Sequence, residues 1–172
     1  MRRSMAVRVV GPMSWIGWPT LAAILFTVVL ATPISLFGLH LPQPVWPMVL
    51  AFAWPLIRPS MVAPAVLFGL GLFLDLFWGG LMGLWPLSLI AVYGVMLACR
   101  NLLVGQETGF LFVLYLGCTA LAFLLAYVIV TMAAGTAPSL VATAAQVVPT
   151  LILFPIADWM IQRFDDGDVR FR

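Results

Sequence analysis

The chain has 172 residues, of which 64% are hydrophobic and 8% charged, with a mean hydropathy of +1.14 and a formal net charge of +2. That balance excludes a soluble globular domain, and a few scattered arginines with no lysine exclude a nucleic-acid footprint. It predicts an integral membrane protein whose short polar ends leave no room for a separate extramembrane enzyme.

The N-terminal stretch MRRSMAVRVVGPMSW is basic and precedes a long apolar run over 15–39. The run exceeds a signal-peptide core and no small-residue cleavage motif closes it, so a retained first span is expected. Charges then divide the chain. Between Arg8 and Arg58 lie 49 uncharged residues, between Arg58 and Arg100 lie 41 with Asp75 alone, and between Glu107 and Asp158 lie 50 with none. At about 1.5 Å of rise per residue and a hydrocarbon core about 30 Å thick, each interval is twice what one span needs and predicts a helical hairpin. Pro, Gly and aromatic residues mark the turns at 37–47 (FGLHLPQPVWP), 78–86 (WGGLMGLWP) and 133–139 (AAGTAPS).

The expectation is therefore an all-α integral membrane protein, a single six-helix transmembrane bundle of three hairpins. Its helices are placed at 15–36, 45–57, 61–77, 84–99, 110–132 and 140–161. The second is too short to cross upright, so it is expected to be broken, shielded by protein, or extended through its Pro-rich entrance. Pro149 and Pro155 should kink the last helix or open its backbone bonding. With both termini inside, all eight arginines are cytoplasmic and the three outer turns carry none, as the positive-inside rule requires. The tryptophans agree, with Trp15, Trp18, Trp54 and Trp159 near inner ends and Trp46, Trp78 and Trp85 near outer ends.

Asp75 stands out as an acid within an apolar run, flanked by Gly71, Gly79 and Gly83 at intervals of four, which in a helix forms one stripe. It lies about 22 Å along the third helix, nearer the outer face. An intramembrane ionisable residue marks a functional site by default: a proton relay, a ligand contact or a pairing with another chain. The alternative is that Asp75 caps a helix end or satisfies donors of the WGGLMG turn. His40, in the first outer turn, could join Asp75 in a proton shuttle or simply sit solvated at the interface. Asp158 is expected at the cytoplasmic interface, meeting water or Arg163. Cys99 and Cys118 read as small buried residues without metal-ligand spacing, and no cofactor is expected. Paired carboxylates, Ser/His/Asp sets, HExxH and phosphate-binding loops do not occur. Small residues form further stripes, Ala23/Thr27/Ala31/Ser35 and Cys118/Ala122/Ala126, for packing within the bundle or docking of a partner's transmembrane helix.

Residues 44–101 resemble the MreD family of bacterial rod-shape-determining membrane proteins. The resemblance rests on a Pro-led short span (PVWPMVLAFAWPLIRP), a GxxxD pattern with glycines following (Gly71, Asp75, Gly79, Gly83), and a fourth span closing on Arg100 and Asn101. It covers about a third of the chain. It implies a bundle similar to the substrate-binding subunits of energy-coupling-factor transporters. It also implies a non-catalytic scaffold of the cell-elongation complex in the bacterial inner membrane, helping to position lateral peptidoglycan synthesis and maintain rod shape. The implied partners are MreC and, through the complex, the actin-like MreB, the polymerase RodA and a class B penicillin-binding transpeptidase, besides membrane lipid. On this reading the Gly71/Asp75/Gly79/Gly83 face packs at, or shapes the pocket near, the outer contact with MreC. Two other classes remain open. A solute-binding transporter subunit would use Asp75, Ser88, Thr119, Thr131 and Gln146 as polar lining, and an intramembrane enzyme would need a second acid, base or nucleophile converging on Asp75.

Overall fold

Apolar runs separated by Pro- and Gly-rich breaks form seven helices in the computed structural model, which describes residues 8–11, 13–31, 35–36, 39–40, 42–103, 107–135, 137–165 and 169–171. A π-helical turn, Met13–Gly17, leads into α1 (Trp18–Val29). Pro19 sits in the first turn of α1, where its missing N–H breaks no helical bond. Then follow α2 (Pro47–Ile57), α3 (Val62–Trp78), α4 (Leu84–Leu103), α5 (Thr108–Ala134), α6 (Leu140–Ile152) and α7 (Phe154–Asp165). Two short strand pairs flank them: β1 (Arg8–Val10) parallel to β4 (Val169–Phe171), and β2 (Ser35–Leu36) antiparallel to β3 (Leu39–His40).

The first helix stops at Val29, well before the expected end at residue 36. Residues 32–34 of the expected helix lie outside the described residues; in the sequence, Pro33 disfavours a helix at the residue before it, which the run of hydrophobic residues does not register. The last span is two helices in near succession, with the break beside Pro155, whereas α6 continues through Pro149. Pro155 has no N–H for the carbonyl four residues back, and at the break Leu153 donates instead to the Thr150 carbonyl, 3.2 Å away.

Three stretches are long and apolar enough to cross a membrane: Leu84–Asn101, Thr108–Ala134 and Leu140–Phe164. By length and composition they mark this as a membrane protein. Met13–Val29 and Val62–Trp78 have 17 residues each and reach about 25 Å. The 11 residues of α2 reach only about 16 Å. A helix that short and apolar all round must be enclosed, and it is: Pro47 to Pro55 are all buried, with α1, α3, α4, α5 and α7 around them. Phe52 and Trp54, both fully buried, anchor the core, Phe52 edge-on to Tyr115 of α5 at 5.1 Å and Trp54 Nε1 donating to the Trp15 carbonyl at 3.1 Å. The outward faces of α1, α5 and α6 carry exposed apolar side chains such as Leu25, Val113, Leu124 and Val141, as a lipid-facing surface requires.

At one end of the bundle Gln43 bonds beside the exit from α1, the end of α3 and Gln146 of α6. At the other, Arg58 lies over Trp15, Tyr93 bonds Ser60 about two turns before Arg100 in the last turn of α4, and Ser14 lines a cleft with Arg163; the β1–β4 pair joins the two ends of the described chain.

Candidate functional site

The α3–α4 hairpin is built around Asp75. Gly79, at φ +65, takes the left-handed conformation that ends α3, and the Gly80 N–H closes the turn on the Asp75 carbonyl at 3.0 Å. The chain reverses through Gly83, at φ +94, whose carbonyl accepts the first bond of α4 from the Leu87 N–H. A glycine in the N-cap position supplies no side-chain oxygen, although the first helical N–H groups need acceptors. Asp75 supplies them from the preceding helix. Its Oδ2 accepts from the Gly83 N–H at 2.7 Å and its Oδ1 from the Trp85 N–H at 3.1 Å. The residue is 1% exposed, and its acid group lies at the positive end of the α4 dipole. Of the roles open to an intramembrane acid, the one observed is the cap on a neighbouring helix and on the turn.

One turn earlier, Gly71 makes the approach possible. A Cβ there would lie 2.3 Å from the Pro86 nitrogen and 2.5 Å from its Cα, so only glycine fits without moving backbone. The four residues do not share one helical stripe: Gly71 and Asp75 face α4 from α3, whereas Gly79 and Gly83 lie in the turn that a left-handed glycine begins. They form a braced hairpin. An aromatic ladder extends from it, with Trp78 edge-on to Trp85 at 5.5 Å and Trp85 edge-on to Phe123 of α5 at 5.6 Å.

The other polar candidates do not converge on Asp75. Ser88 donates to the Leu84 carbonyl, Thr119 to that of Tyr115 and Thr131 to that of Tyr127, each bonding within its own helix, while Gln146 Nε2 donates to the Gln43 carbonyl at 3.2 Å. Asp158 Oδ2 accepts from Gln162 Nε2 at 2.7 Å, and Arg163 lies over the Trp159 ring at 5.1 Å instead of on Asp158. The backbone of His40 pairs with Ser35 in the β2–β3 ribbon, but its side chain lies outside the described residues, as does that of Ser35. Ala23 and Thr27 are buried, and Cys118, Ala122 and Ala126 face the bundle interior. Cys99 and Cys118 are free thiols. Among the described residues, no group of three or more His, Cys, Asp or Glu side chains could hold a metal ion.

Gln43 was not legible as a structural residue in the sequence, yet it ties the ends of α1 and α3 to the middle of α6. Its Nε2 donates to the Ala31 carbonyl beyond α1 at 3.2 Å, its Oε1 accepts from Trp78 Nε1 of α3 at 2.7 Å, and its own carbonyl takes the Gln146 bond from α6. Thr150 is a second tie. Its hydroxyl accepts from the Val45 N–H at 3.1 Å at the entrance to α2, and its carbonyl accepts from the Tyr115 hydroxyl at 3.0 Å. The only sequence signal for either was a polar residue among prolines or apolar neighbours. No protein-family model, no curated protein and no solved structure matches the chain.

Proposed function

We propose that this chain is a non-catalytic, multi-pass scaffold of the bacterial inner membrane, an MreD-like component of the cell-elongation complex that binds MreC. Both oxygens of Asp75 are engaged by backbone donors, and this observation carries the reading: the acid holds a hairpin in shape instead of presenting itself to a substrate. Ser88, Thr119, Thr131 and Gln146 bond within the bundle, which favours a scaffold over a solute-binding subunit or an enzyme. The residues that resemble MreD, 44–101, comprise the enclosed α2 and the braced α3–α4 hairpin.

Placing the arginine end in the cytoplasm puts the turn between α3 and α4 at the outer face. There Leu81 is 39% exposed and Met82 is 71% exposed, on a loop fixed from below by Asp75. In this proposal that loop is the contact offered to MreC. The test is depletion of the chain in its rod-shaped host, paired with co-purification of MreC. Rounded cells, and loss of MreC from a stably inserted Leu81→Asp/Met82→Asp variant, are expected. Unchanged rod shape on depletion, or no MreC with the unaltered protein, overturns the proposal.

A further inference from the structure

A cleft of about 350 Å³ opens on the side of the bundle between α1 and α7, with α2 as its floor. Trp18, Ala22 and Phe26, spaced four apart, form one wall, and Leu50 lies beneath them. Phe26 stacks on Trp46 at 4.6 Å and closes the end away from the arginines. At the other end Arg163, the one charged residue among the described lining, lies over the exposed Trp159 ring. The cleft is thus an apolar slot with a single cation at one mouth, and that mouth is at the membrane face that carries Arg58 and Arg100.

We propose that this cleft is a binding site for one glycerophospholipid, with an acyl chain along the slot and the phosphate at Arg163. Volume and charge together favour this occupant. A methylene displaces roughly as much space as a water molecule, about 30 Å³, so the slot holds on the order of a dozen methylenes. A partner helix, about 10 Å across, would lay only its side chains in the slot and would bring no phosphate to Arg163. The charge decides the orientation, since a guanidinium at interfacial depth pairs with phosphate, whereas the far end, closed by the Phe26–Trp46 stack, carries no charge. Lipid binding here is independent of the scaffold reading, because it uses α1, α2 and α7 and not the α3–α4 hairpin.

The test is native mass spectrometry of the delipidated full chain in mild detergent, titrated with phosphatidylglycerol. One lipid should bind ahead of a weaker ladder. Ala22→Trp, which fills the slot, should abolish that first step, whereas Leu124→Trp on the exposed face of α5 should leave it unchanged. Arg163→Gln, at an exposed position, should weaken it roughly fivefold, the effect of removing one basic residue near a lipid surface. Equal melting temperatures for the three variants and the unaltered chain separate loss of the site from loss of the fold. A first step unaffected by both Ala22→Trp and Arg163→Gln overturns the proposal. So does a photo-crosslinker at position 22 that captures a membrane helix in place of lipid.

Discussion

Replacing Asp75 tests whether the acid is a brace or a reactive group. Two backbone donors, the N–H groups of Gly83 and Trp85, end on its oxygens in a site 1% exposed. Asp75→Ala leaves both without an acceptor, and at about 1–3 kcal/mol for each unsatisfied buried donor the loss is roughly 2–6 kcal/mol. Asp75→Asn keeps one carbonyl oxygen but turns an amide NH2 toward the second donor, so about half of that loss is expected. The order Asp, Asn, Ala is therefore the signature of a double acceptor. Reversible unfolding in mixed micelles measures it, with tryptophan emission as the readout because Trp85 is at the bond itself. If both variants unfold within about 0.5 kcal/mol of the unaltered protein, the brace is refuted and a role in proton or ligand chemistry returns.

Gly71→Ala should destabilise by about 1–3 kcal/mol, since the new methyl group meets Pro86 backbone. Gly69→Ala, on the same helix with nothing within 4 Å, should be neutral or stabilise by up to about 1 kcal/mol in the same unfolding assay. Gly79→Ala, at φ +65, should lower stability by about 1–2 kcal/mol although its surroundings are open, because the strain is in the backbone. Gln43→Leu strands Trp78 Nε1 and removes the donor to the Ala31 carbonyl while keeping the backbone carbonyl that Gln146 uses, so faster hydrogen exchange is expected around Ala31 at the exit from α1 and little change in α6.

Charge spacing and turn composition placed the helices well because lipid imposes a strong rule: an uncharged stretch of fixed length must be helical. The boundaries of α3, the start of α4 and the break near Pro155 followed from glycine and proline, whereas α4 runs to Leu103, past the expected end at residue 99. The end of α1 did not, since hydrophobicity continues past Val29 while Thr32-Pro33 disfavours a helix. Spacing also marked Gly71 and Asp75 as a pair but extended their stripe too far, because a period of four says nothing about the sign of φ at Gly79. Gln43 and Thr150 stayed hidden for a different reason. Their partners are 12, 35 and 103 residues away for Gln43 and 35 and 105 for Thr150, and no local pattern encodes such pairings.

The enclosure of α2 has a consequence for how the chain is made. At about 16 Å this helix cannot settle upright in lipid by itself. Its entrance is fastened by Thr150, which emerges from the ribosome 105 residues after Val45. Until α6 and α7 arrive, the middle of the protein has a floor but no far wall. Assembly therefore has two stages, insertion of the long helices first and seating of the short one afterwards. A chain cut before residue 140 should be recognised as unfinished by membrane quality control even though most of its helices have been made.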